Sequence, residues 1–109
     1  MIHELKTLPQ YFNAVVSGEK YFEVRKLDRP FRVGDLLALN EYDGEKKAYT
    51  GRCCVVYVDY ILDDATYCKS GYVTMSVKPC SVMKHDRPIN MQRLCADYAI
   101  PLAPLPEVN

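Results

Sequence analysis

The sequence predicts a mainly-β fold of the α+β class: a small β-barrel with one helix after its first strand, packed across an end. Three observations lead there. Apolar residues recur at helical spacing only once early in the chain, over residues 8–16, and then switch to strict alternation. The later apolar runs are rich in Val, Tyr and Cys and are separated by turn clusters. Closing such strands into a barrel protects edges that a small open sheet leaves exposed. At 109 residues the chain has material for one core and not two.

The elements follow in order. Ile2 to Leu5 reads as a short strand. Leu8, Phe12, Val15 and Val16 then mark one apolar face of a helix of about three turns, with Thr7 as N-cap, Pro9 in the first turn and Gly18 as its stop. In Tyr21 to Arg25 the period is two, with Phe22 and Val24 on one face and Tyr21, Glu23 and Arg25 on the other. This alternation predicts a half-buried strand whose exposed face carries a carboxylate beside a guanidinium. Arg29-Pro30 breaks that strand and Val33-Gly34-Asp35 turns the chain into the next, Leu36 to Tyr42. Asp43 to Lys47 is a polar hairpin turn. Tyr49 to Leu62 is one long bent strand with Gly51 near its start, ended by Asp63-Asp64. After a turn at Lys69-Ser70-Gly71, Tyr72 to Val77 alternates again. Met91, Leu94, Cys95 and Tyr98 suggest a short C-terminal helix, and Pro101, Pro104 and Pro106 an extended tail. There is no repeat and no second domain.

Charge and cysteine usage narrow the function classes. Fourteen basic residues balance fourteen acidic ones, so any nucleic-acid binding must come from a local patch. Lys20, Arg25, Lys26, Arg29 and Arg32 form such a patch, which serves either anion recognition or simple solvation of a loop. No apolar run approaches a membrane span, and the N-terminus lacks the basic flank and apolar core of a signal peptide; the expected location is cytoplasmic. The five cysteines are odd in number, with Cys53 and Cys54 adjacent, and are expected to be reduced, buried thiols. Cys68, Cys80 and His85 have none of the usual zinc spacings. His85 itself lies in a polar segment, Lys84-His85-Asp86-Arg87, that reads as loop. Phosphate loops, nucleophile elbows and paired metal-ligand histidines are lacking, so no metal or cofactor is expected.

The residues of the patch have definite chemistry. Arginine offers a planar fork that matches phosphate or a base edge, and lysine a point charge. Lys20 and Arg25 stand near the two ends of one strand, with Lys26 and Arg29 continuing into the loop. Tyr21, Tyr42 and Tyr49 are either stacking faces for exposed bases or ordinary barrel-rim residues. Glu23 is either a structural ion-pair partner or a carboxylate that accepts from a base amino group or acts as a general base.

The pattern Gly18-x-Lys20-x-x-Glu23-x-Arg25, before Val33-Gly34-Asp35, resembles the ASCH domain of the PUA-like superfamily. His3-Glu4-Leu5-Lys6-Thr7, Tyr11-Phe12, Phe22 to Lys26, Asp28-Arg29, Glu41-Tyr42 and Tyr49-Thr50-Gly51-Arg52 resemble, in order, short uncharacterised ASCH-like proteins of bacteria and phages. The likeness covers residues 1–78, and residues 79–109 read as an extension of the same domain. It implies a PUA-like barrel with a cleft between barrel and helix, lined by the charged motif, and an association with RNA or nucleotides. The contact set it suggests is Lys20, Glu23, Arg25, Lys26 and Arg29 with Tyr21, Tyr42, Tyr49 and Arg52. Some ASCH proteins resembling this one around Lys20 are amidohydrolases that deacylate N4-acetylcytidine through a lysine, a threonine and a later glutamate. Here the threonine position is Glu23, and a carboxylate does not replace a hydroxyl in that acyl transfer. Others are ribonucleases, for which His3 with Glu23 or Lys20 is the acid–base pair to consider; at the start of the first strand His3 reads more readily as a structural histidine.

Three functions are therefore expected in order: an RNA- or nucleotide-binding module, a small hydrolase acting on a modified nucleoside or RNA, and a phage-borne protein-interaction device. The last would use the proline-rich tail, with Leu102, Leu105 and Val108, to hold a protein partner.

Overall fold

The computed structural model describes residues 1–84. Five strands and one helix follow in the order β1 (Ile2–Thr7), α1 (Pro9–Val16), β2 (Phe22–Lys26), β3 (Leu36–Asp43), β4 (Ala48–Leu62) and β5 (Tyr72–Lys84). The strands form one curled sheet ordered β1-β3-β4-β5-β2, a half-barrel with β1 and β2 at its two edges. β1 runs parallel to β3, and every other neighbouring pair is antiparallel.

Alternation sets the core. Leu37 and Leu39 of β3 face inward with Cys54, Val56 and Val58 of β4 and Val73, Met75 and Val77 of β5. β4 is 15 residues long, and its ladder with β5 is interrupted between Val55 and Val56 and between Val58 and Tyr60. Such irregularities bend a strand and increase its twist, which suits the curl of this sheet.

α1 covers the core with Phe12 and Val15, both fully buried. It has eight residues, about two turns and not three. Leu8, not Thr7, is the N-cap, in extended conformation and without a side-chain cap bond. Thr7 is still part of β1, and its hydroxyl is engaged by Arg25. Pro9 begins the helix as expected. Gly18 ends it at φ +80°: its N–H donates to Val15 O and that of Glu19 to Ala14 O, the Schellman arrangement. A Cβ there would also meet the Tyr21 hydroxyl at 3.0 Å.

β2 is inverted relative to the expectation. Its register pairs Glu23 with Met75 and Arg25 with Val73, so the charged residues share the inner face of the sheet. Glu23 is buried, whereas Phe22 and Val24 are exposed. The alternation is real, but β2 is an edge strand and its inward face meets the gap beside β1 instead of closed apolar core. Tyr21 precedes the strand and is exposed.

Two details differ in extent. β1 runs two residues past Leu5, and β5 continues to Lys84, so the sheet runs beyond residue 78. Cys53 and Cys54 are fully buried, and burial pushes their thiols up to about 12 and about 11. Cys68 is half-buried and Cys80 exposed, unlike the uniformly buried thiols expected. His85, Cys95, the suggested C-terminal helix and the proline tail lie outside the described residues. Among the described residues no helix is long and apolar enough to cross a membrane.

Candidate ligand cleft at the open seam

The edge strands β1 and β2 face each other without a backbone ladder, and arginine side chains span the gap. An edge strand presents carbonyls with no partner strand, and these need donors. Arg25 Nη1 donates to Lys6 O at 2.9 Å and Nη2 to Thr7 Oγ1 at 3.0 Å. Arg29 Nη1 donates to Glu4 O at 3.1 Å.

Behind this clasp stands Glu23. Its Oε1 takes Lys20 Nζ at 2.6 Å, and its Oε2 takes Arg25 Nε at 3.0 Å. Lys20 also donates to the Phe22 carbonyl. A carboxylate that is 3% exposed is tolerable only when both oxygens are paired, as they are here. The chain Lys20–Glu23–Arg25–Thr7 is thus one connected polar network across the seam.

Two openings flank the network. The larger, about 550 Å³, has Lys20, Glu23, Arg25 and Thr7 at its polar side, and Leu8, Tyr11, Phe22 and Val24 as apolar wall. The smaller, about 220 Å³, is lined by Lys26, Asp28, Arg29, Glu4, Leu5 and Phe31. Arg25 and Lys6 line both. Arg29 Nε is buried without a hydrogen-bond acceptor; Asp28 Oδ1 lies 3.5 Å away, an ion-pair distance without hydrogen-bond geometry. An orphaned buried donor of this kind costs about 1–3 kcal/mol. Burial raises the Glu4 carboxyl above its ordinary value, opposed by the charge of Arg29.

The expected contact set therefore divides. Lys20, Glu23 and Arg25 meet in the larger opening, and Lys26 and Arg29 reach the smaller one. Tyr21 lines neither; its carbonyl accepts from the Val77 amide. Tyr42 and Tyr49 pack edge to face at 5.1 Å, with the Lys6 ammonium 4.1 Å over the Tyr42 ring. Arg52 is bound to Glu41 through Nε at 2.9 Å and a second bond from Nη2. It also donates to Asn13 at 2.9 Å and lies 4.8 Å over the Phe12 ring, tying α1 to β4. Hydrogen bonding from Arg52, helped by Thr50 and opposed by burial, holds Glu41 below the usual carboxylate range.

His3 is fully buried and lines neither opening. Its Nε2 lies 2.7 Å from Asp35 Oδ2, its ring packs at a 54° tilt against Phe31 with centroids 4.8 Å apart, and Nδ1 has no partner among the described residues. Burial pushes the Asp35 carboxyl up, but hydrogen bonds from His3, the Arg32 amide and the amino group of Met1 outweigh it and leave the value lowered. Asp35 thereby closes the turn into β3. His3 and the Lys20–Glu23 pair are separate constellations.

Lys6, Thr7 and Tyr11 are site residues that sequence reasoning assigned other roles or none. Their place depends on the curl that brings β1 to β2, which no local pattern records. Tyr11, preceding the buried Phe12, carries the one local signal: it must lie off the helix's buried face.

Residues 2–77 match a family described as a domain of unknown function, DUF3850. The chain is also 43% identical over 51 residues to an uncharacterised 12.9 kDa protein in the GpA 3′ region of Escherichia phage P2. That match takes in 47% of this chain and 45% of the relative, so it spans under half of either. With most of the folded sheet inside the matched region, the chain belongs to the DUF3850 family.

Proposed function

We propose that the chain is a non-catalytic module of the ASCH, PUA-like type that binds single-stranded RNA or a nucleotide at the seam between β1 and β2. One observation carries the reading: a buried carboxylate, Glu23, stands between two cations beside an opening walled by exposed Tyr11, Phe22, Leu8 and Val24. Its volume of about 550 Å³ is within the range of small-molecule sites. Aromatic and apolar walls suit the faces of an unpaired base. Glu23, buried and paired through both oxygens, fixes the Lys20 and Arg25 head groups beside the opening, and the rim carbonyls and hydroxyl of β1 are left to meet the polar edge of a base such as cytosine. Lys6, Lys20 and Arg25 supply positive charge at the rim, which favours an anionic ligand.

The test is a titration of isotopically labelled protein with short single-stranded RNA and with free nucleosides, followed by amide shifts. Saturable shifts on residues 6–11 and 20–25, weakened by salt and by Tyr11→Ala, are expected. Absence of shifts with every nucleic-acid ligand would overturn the reading.

A second reading, a hydrolase of a modified nucleoside, draws on Thr7, whose hydroxyl lines the same opening as Lys20. It requires conversion of N4-acetylcytidine in that titration, abolished by Thr7→Val in a protein that remains folded. An unchanged ligand leaves the binding module as the function.

A further inference from the structure

We infer that the ligand is a phosphorylated nucleotide that straddles the Arg25 clasp, with its base in the larger opening and its phosphate in the smaller one. This rests on the reading of the larger opening as a base site and adds the ligand's charge and the residues that read it.

The two openings are neighbours sharing Arg25 and Lys6 as a common wall, so one ligand can touch both. Their chemistry differs in the way the halves of a nucleotide differ. Exposed rings and aliphatic groups wall the larger; the smaller gathers Lys26, Arg29, Arg25 and Lys6 against the carboxylates of Glu4 and Asp28. That balance leaves it cationic. Arg29 Nε is buried at ion-pair distance from Asp28 Oδ1, 3.5 Å, and the guanidinium makes one hydrogen bond, from Nη1 to Glu4 O. Lys26 is exposed and its side chain makes no hydrogen bond among the described residues. Arg29 Nη2, which makes no hydrogen bond among the described residues, and the Lys26 ammonium are donors suited to phosphate oxygens. At about 220 Å³ the space admits a phosphate group but is small for a second base. The phosphate is that of a free nucleotide or of a strand running across the seam.

Affinities of the full chain for cytidine, cytidine 5′-monophosphate and a tetranucleotide of cytidines decide the matter, each measured with Lys26→Ala and Arg29→Lys variants. Lys26→Ala removes no bonded contact, so its effect is not one of folding. The monophosphate is expected to bind about tenfold or more tightly than cytidine, the scale of a charge-assisted hydrogen bond. Both substitutions should erase most of that advantage while the affinity for cytidine stays within about twofold of wild type. The same losses with the tetranucleotide alone would assign the phosphate to a strand. Equal binding of cytidine and its monophosphate, together with tetranucleotide binding that neither substitution weakens, would overturn the inference and leave the base site standing. No binding of either, nor of the tetranucleotide, would overturn both.

Discussion

Arg25 on β2 reaches across the open seam to Lys6 on β1, its Nη1 2.9 Å from the Lys6 carbonyl, and so joins two edge strands that share no ladder. A backbone carbonyl at an edge is ordinarily satisfied by water or by another strand. Here a side chain does it, and the same guanidinium pairs with Glu23, which is otherwise out of reach of water. The charged stretch from Lys20 to Arg25 is therefore part of the fold as well as a candidate contact surface.

Arg25→Ala should accordingly destabilise the protein by about 2–4 kcal/mol, because it strips one partner from a buried carboxylate and leaves an edge carbonyl bare. Arg25→Lys should recover little, since an ammonium does not reproduce the fork that serves Glu23, Lys6 and Thr7 together. Urea denaturation measures both. An Arg25→Ala protein of wild-type stability would show the clasp to be ornamental.

The inverted face of β2 leads to a second expectation. Val24→Ser lies on an exposed position and should change stability by no more than about 0.5 kcal/mol. Met75→Ala, directly opposite Glu23 in the register and fully buried, should cost about 2–5 kcal/mol. If β2 faced the other way, Val24→Ser would be the damaging change. Denaturation midpoints of the two variants separate the alternatives.

Much of the fold is legible in the sequence, because it rests on signals a few residues long. Gly18 stops the helix, Asp43 to Lys47 turns a hairpin with two amides bonded to Asp43 Oδ1, and Tyr72 to Val77 alternates as its burial requires. The orientation of β2 is not legible. Alternation states which residues share a face but not which face is inside, and hydrophobicity points to the wrong one when an ion pair occupies the interior. The site shares that difficulty. Lys20, Glu23 and Arg25 are close in sequence and were readable as a group; Thr7 and Lys6 join them only through the curl of the whole sheet. Conversely Tyr42, Tyr49 and Arg52 look like contact residues as residue types, yet their partners are one another, Lys6, Glu41 and the helix.

The thiols offer a probe that needs no ligand. Burial holds the values of Cys53 and Cys54 at about 12 and about 11, so almost no thiolate forms at those positions in the folded protein near neutral pH. Of the four cysteines among the described residues, an alkylating reagent at pH 8 should therefore label exposed Cys80 before half-buried Cys68, leaving Cys53 and Cys54 unmodified until denaturant is added. Peptide mapping by mass spectrometry reads each site separately. Labelling of Cys53 or Cys54 at the rate of Cys80 in native protein would mean that the β3–β4 region opens far more readily than its packing implies.

Acid should unfold the protein in part through Glu41. Its folded value is depressed below the ordinary 4.5, chiefly by hydrogen bonding from Arg52. The unfolded chain thus takes up this proton at higher pH than the folded one, so the stabilisation is fully present above 4.5 and is lost as pH falls through the depressed folded value. Asp35, lowered by His3, the Arg32 amide and the Met1 amino group against the opposing effect of burial, adds to the same acid limb. Glu41→Gln should therefore be less stable than wild type at pH 7, where it lacks the charged pair that joins β3 to β4 and holds Arg52 against α1. The difference should shrink steadily below pH 4.5, as wild type loses the same charge by protonation, while the Asp35 share of the acid dependence persists in both proteins. Denaturation midpoints at half-unit steps between pH 7 and pH 3 would display the convergence. Parallel curves for wild type and variant over that interval would show that Glu41 has the same proton affinity folded and unfolded, and that its pair with Arg52 contributes nothing through charge.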